Sequence, residues 1–181
     1  MSGDPIDERL DDVDVFTTGT VGRPGSRVFF LQIRSGGRRF DLKCEKAQVA
    51  AISRYLENVL QDLPPPEDRP MPAAMDMAPP TGDGFILGSI ALGYDAHGDR
   101  VVIRLDEVGG PDDDDSDLDG PGIELGLDPN DDLGTIRIAV TRGQAAAFLE
   151  HADRVVAAGR PPCRWCGGPI DPDGHPCPRM N

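Results

Sequence analysis

Two stretches of this chain repeat one order of signals, three short runs rich in Phe, Val, Ile, Leu and Thr followed by a stripe of apolar residues at helical spacing. That order restricts the fold strongly, because strand patterns repeat every two residues and helix patterns every 3.6, and neither serves for the other. In the first stretch the strand runs are residues 15–21, 27–34 and 38–43, divided by Arg23-Pro24-Gly25-Ser26 and Ser35-Gly36-Gly37. Glycine and proline at those points favour turns, so three antiparallel strands are predicted. Residues 45–63 then bring Val49, Ile52, Leu56, Val59 and Leu63 to one helical face, which Pro64-Pro65-Pro66 ends.

Residues 64–83 hold seven prolines and read as a linker. Beyond them the order returns. Residues 85–94 and 100–108 form a predicted hairpin turned at 95–99, an acidic insertion follows over 109–132, and residues 135–140 make a third strand. Thr141 is a good N-cap for a helix carrying Ala145, Phe148, Leu149, Ala152, Val155 and Val156 on its apolar side. Short motifs correspond as well: Phe16-Thr-Thr-Gly19-Thr-Val21 with Phe85-Ile-Leu-Gly88-Ser-Ile90, and Gln48-Val-Ala-Ala-Ile52 with Gln144-Ala-Ala-Ala-Phe148. One helix over three strands buries little apolar surface, so the halves are expected to share a core. The predicted fold is α+β: a duplicated βββα unit forming a six-stranded, mainly antiparallel sheet or partly closed barrel with two helices, plus a small zinc knuckle. The predicted organisation is a disordered acidic start at 1–14, a first half at 15–63, the linker at 64–83, a second half at 84–159 containing the acidic loop 109–132, and the knuckle at 160–181.

The formal net charge of -14 repels phosphate backbones, so nucleic acid is not an expected general partner. The first residues are acidic where a signal peptide is basic. The longest mostly apolar stretch, 85–94, has ten residues where a bilayer crossing needs about 20. A cytoplasmic protein with no membrane span is therefore expected. Charge is segregated along the chain: residues 23–54 are rich in Arg and Lys, whereas 106–132 hold twelve acids and no base. Such faces are ordinarily solvated; otherwise the acidic loop covers the basic face, or each marks a partner surface.

The chemistry concentrates at the carboxyl end. Cys163-Arg-Trp-Cys166-Gly has the spacing of a zinc knuckle, and His175 and Cys177 return after a turn-forming stretch of Gly, Pro and Asp. The second pair is His-x-Cys, one residue shorter than a standard ribbon, which makes His175 the weakest of the four expected ligands. A redox Cys-x-x-Cys normally opens a helix, and here Pro and Gly surround the pair. Three thiolates and an imidazole would fill a tetrahedral zinc ion and leave no position for water, so a structural Zn2+ is expected at Cys163, Cys166, His175 and Cys177. Trp165 lies between two ligands, and with Arg160, Arg164 and Arg179 it supplies the residue types that anchor interfaces. No nucleophile stands at a recognisable spacing from His97 or His151, and no catalytic residue is assigned.

Residues 154–163, Cys166-Gly and Ile170-Asp-Pro-Asp-Gly-His175-Pro-Cys-Pro-Arg-Met-Asn181 resemble the ending of an actinobacterial family defined as a domain of unknown function. Phe16-Thr-Thr-Gly-Thr-Val-Gly22 and Phe29-Phe-Leu-Gln32 also resemble it. The resemblance implies no reaction; members tend to be encoded near a histidine-phosphatase-like and a lipid-kinase-like protein, which implies a shared pathway. The leading expectation is a non-enzymatic interaction or assembly module with a protein partner. The alternative is an enzyme or accessory in phosphate-ester metabolism, using a pocket between the halves lined by Arg34, Arg38 or Arg39. A third reading is a local single-stranded RNA contact that stacks a base on Trp165.

Overall fold

The structure, a computed structural model, describes residues 5–109, 133–159, 163–168, 170 and 174–179. The acidic loop expected at 109–132 lies outside the described residues from 110 onward. Among the described residues, seven strands and two α-helices run in the order β1 (Asp7–Leu10), β2 (Val15–Val21), β3 (Val28–Ser35), β4 (Arg38–Cys44), α1 (Lys46–Gln61), β5 (Leu87–Asp95), β6 (Arg100–Glu107), β7 (Thr135–Thr141) and α2 (Arg142–Ala157). A single 3₁₀ turn at Pro72–Met75 interrupts the connection between α1 and β5.

The strands form two sheets, ordered β2-β3-β4 and β1-β7-β6-β5. This corrects the expectation of one six-stranded sheet or a partly closed barrel. The margins of the two sheets touch only briefly: the Asp41 and Lys43 amides donate to the Asp83 and Phe85 carbonyls, and one parallel bridge pairs Lys43 with Ile86. A register shift between Leu87 and Ile90 then accompanies the turn of β5 onto β6. Glycine makes even this approach possible, since a Cβ on Gly84 would collide with the Asp41 backbone.

The acidic start also differs from expectation, for β1 pairs in parallel with β7, with Asp7 opposite Thr135 and Leu10 opposite Ile138. Its alternate residues, Glu8 and Leu10, are half-buried while Asp7 and Arg9 are exposed. A strand whose pairing is mostly backbone to backbone, with one apolar contact, leaves little hydrophobic signal in sequence.

Each half keeps the predicted order of three antiparallel strands and a helix, and the two halves interlock. α2 packs on β2 and on α1. The rings of Phe16 on β2 and Phe148 on α2 stack with centroids 4.3 Å apart and planes 7° from parallel. The corresponding glutamines are the third residues of their helices: Gln48 accepts from the Glu45 amide and Gln144 from the Thr141 amide. Each then donates across to the other half, Gln48 to the Leu87 and Gly88 carbonyls and Gln144 to Val13. A capping-box residue that would ordinarily be local thus fastens the halves together.

Residues 74–83, read as linker, lie across the outer face of the first sheet. The transverse row Thr17, Gln32 and Asp41 sits there in register and is almost wholly buried. Thr17 donates to the Met75 carbonyl, Gln32 both donates to and accepts from Ala78, and Asp41 accepts from the Thr81 amide and hydroxyl. Met75 is buried, and Met77 occupies the room that Gly19 leaves. Here a segment without regular strands, with Pro79 and Pro80 in it, makes a strap whose backbone polar groups are satisfied by side chains.

Three outcomes follow from this packing. Truncating Phe148→Ala should cost about 3–5 kcal/mol in urea unfolding, since a stacked, fully buried ring is removed. Gly19→Ala places a Cβ 2.8 Å from Met77 Cβ, so it should destabilise by about 1–3 kcal/mol and expose residues 76–83 to protease; an unchanged cleavage pattern would show that the strap is not held there. His151 is buried, with its Nε2 2.9 Å from the Thr18 carbonyl and no partner for Nδ1 among the described residues. Desolvation lowers its pKa below 6.5 despite the hydrogen bond to Thr18. The unfolded chain therefore takes up a proton that the folded chain resists, so stability falls as pH drops below 6.5, and His151→Gln should flatten that part of the profile.

Candidate metal centre

Past α2 the chain has few apolar residues, and its order comes from tight turns. The Cys163 amide donates to the Gly168 carbonyl at 2.7 Å and the Gly167 amide to the Cys163 carbonyl at 2.8 Å. Gly167 has φ of 74°, a conformation that a side chain disfavours, so the glycine after Cys166 is what allows the loop to close. The Trp165 amide points at Cys163 Sγ, 3.4 Å away. Gly174, just ahead of His175, also has a left-handed φ, 93°.

The four residues expected from spacing lie together. One ligand atom from each of Cys163, Cys166, His175 and Cys177 lies within 4.8 Å of all the others. Cys163 Sγ is 3.9 Å from Cys177 Sγ, and Cys166 Sγ is 3.3 Å from His175 Nε2. For tetrahedral ligation the metal–sulfur and metal–nitrogen bond lengths place sulfurs about 3.8 Å apart and sulfur and nitrogen about 3.6 Å apart, so the observed edges suit a cation at the centre. The short His-x-Cys spacing does not exclude His175, because Nε2 stands at the far end of an imidazole and reaches further than a thiol. Cys163 and Cys177 are buried, whereas Cys166 and His175 are half-buried.

The thiols are unequal. Backbone amides of Cys166 and Trp165 hold Cys163 below the ordinary thiol range. The Arg179 amide pulls Cys177 the same way, but desolvation and the neighbouring thiols outweigh it and leave that group raised. Cys44 belongs to another class: desolvation in the core pushes it up to about 12, which makes it an inert packing residue.

Of the expected contact residues, Trp165 is 53% exposed, and the Arg164 guanidinium lies 4.9 Å from the centroid of its ring. Arg179 is exposed and Arg160 lies outside the described residues. Among the described residues no hydrogen bond or ion pair joins 163–179 to the two sheets and their helices. No described helix is long and apolar enough to cross a membrane.

Metal removal should consequently act locally. A chelator should abolish amide protection in 163–179 and leave that of β3, β6 and α2 unchanged, because the core's apolar contacts do not pass through the four ligands. Under those conditions a thiol reagent should modify Cys163, Cys166 and Cys177 while Cys44 stays protected. Loss of protection throughout the chain would mean that the cluster is part of one cooperative core.

No curated protein and no solved structure matches the chain. A family model does, over residues 8–177, and its span takes in both sheets, both helices and all four residues of the cluster. The chain belongs to the family described as "Protein of unknown function (DUF3090)".

Proposed function

We propose that this protein is a non-enzymatic interaction module in which a structural zinc ion presents an aromatic and cationic surface to a protein partner. The observation that carries the reading is the four-donor cluster at Cys163, Cys166, His175 and Cys177, closed on itself and flanked by an exposed Trp165. Three soft thiolates and one imidazole, all within 4.8 Å of one another, suit zinc better than hard oxygen-seeking cations. With four protein donors the ion keeps no open position for water, so it organises the loop and activates nothing.

What it organises is the segment between the first two ligands. Trp165 and Arg164 are held by the same turn that aims the thiolates, and Arg164 stacked over the indole makes a preformed amphipathic patch. Preformed aromatic and arginine residues are the usual anchors of protein interfaces, since little conformational entropy is lost when they dock. An exposed indole could also stack a base, but the net charge of -14 opposes a polyanion and favours the protein partner.

Elemental analysis of protein purified without chelator should find about one zinc per chain, lost on Cys163→Ser, Cys166→Ser or His175→Ala. Tagged full-length chain should capture a partner from native extract that Trp165→Ala and a chain ending at residue 159 both fail to capture. Metal-free protein from such a purification would remove the zinc. Equal capture by the truncated chain would move the contact surface into the core.

A further inference from the structure

The open end of the first sheet carries a cavity of about 790 Å³ lined in part by Asp14, Arg34, Arg38, Arg39, Thr81 and Asp83. It sits between the β3–β4 hairpin, the start of β2 and the strap, remote in sequence from the metal centre. Its volume falls in the range of small-molecule sites, about 300–1,000 Å³.

Arg34 and Arg39 are direct cross-strand partners. Like charges in that relation repel, so the pair needs negative charge close by. Asp41 supplies only part of it. Its Oδ2 lies 3.4 Å from Arg39 Nε without accepting a hydrogen bond from it, and its oxygens already accept from Gln32 and Thr81. Arg34 uses Nη2 to hold the strap through the Ala74 and Asp76 carbonyls at 3.0 and 3.4 Å. The Nε atoms of both arginines are nevertheless buried, and neither donates to any described residue. Buried donors are almost always paired, because an unmade hydrogen bond there has no water to replace it. A ligand in the cavity cannot reach those Nε atoms, but Nη1 of Arg34 and both Nη atoms of Arg39 are open and make no hydrogen bond to any described residue, so they are the donors left for an acceptor in the cavity.

Arg38 is otherwise engaged, lying over the Phe40 ring and bonded to Glu8. The operative cations are therefore Arg34 and Arg39, and guanidinium groups pair best with the planar or tetrahedral oxygens of an oxyanion. Asp14 and Asp83 in the same lining repel a second anionic group and can accept from hydroxyls. We propose that this cavity binds a small molecule bearing a single oxyanion group, carboxylate or phosphate, held by Arg34 and Arg39, with hydroxyl groups directed to Asp14 and Asp83.

The side-chain guanidinium N–H resonances of the ¹⁵N-labelled full-length chain test this directly. Titration with inorganic phosphate and, separately, with acetate should move the Arg34 and Arg39 resonances together and saturably with at least one of the two, while chloride at matched ionic strength leaves them in place. The anion that moves them identifies the headgroup. Arg39→Gln should weaken that binding at least about tenfold, as expected for loss of a charge-assisted contact, whereas Arg137→Gln on β7 should not. Because Arg34→Gln would also loosen the strap, the titration of the unaltered protein decides the matter. Resonances unmoved by both anions, or saturable binding retained by Arg39→Gln, would overturn the site.

Discussion

The core of two sheets and two helices depends on each half being fastened by its helix to the other half. Gln48 at the start of α1 reaches the backbone at the head of β5, and Gln144 at the start of α2 reaches the backbone just before β2. α2 lies on the first sheet, where Phe148 stacks on Phe16, although it follows the second sheet in the chain. A three-stranded meander with one helix cannot bury enough apolar surface to offset its conformational entropy. Interlocked, the two meanders share one core containing Leu31, Ile33, Ile52, Ile103, Leu105, Ile136 and Phe148. The helix layer, not a continuous hydrogen-bond ladder, is what unites the sheets.

The strap depends on that core in turn. The inner face of the first sheet is occupied by the apolar residues beneath the helices, so its outer face is free to carry the polar row Thr17, Gln32 and Asp41. Such a row is ordinarily hydrated. Here it is buried because residues 74–83, which form no ladder of their own, lay their carbonyls and amides against those side chains. The same strap walls the arginine-lined cavity, so a segment without regular strands or α-helix shapes a pocket on an otherwise open sheet.

The carboxyl end obeys a different economy. Among its described residues none joins the apolar core, and two left-handed glycines lie among four donors spaced to suit a metal. The molecule has, on the proposed reading, two parts, a core stabilised by apolar burial and a loop stabilised by ligation. On the proposed reading, Trp165 can stay exposed because the ion, not burial of the indole, fixes the turn that displays it.

The strand and helix runs were legible in the sequence because each has one buried face, and a buried face prints a period of two or 3.6. The N-cap at Thr141 and the four residues of the Cys/His cluster were legible for a related reason: their partners lie within a few residues or along one short loop. What tertiary structure alone decided is every contact made through backbone or between the halves. β1 is held to the edge of β7 by main-chain hydrogen bonds, which leave no residue pattern. The division into two sheets follows from how far residues 83–86 run beside β4, and the cross-half bonds of Gln48 and Gln144 cannot be read from a local motif. Arg34 and Arg39 were visible as basic residues, yet their pairing across the hairpin, the burial of their Nε atoms and the cavity beside them required the strap to be in place. Local chemistry is written in residue order, whereas long-range placement is fixed by which buried surfaces and backbone edges find one another.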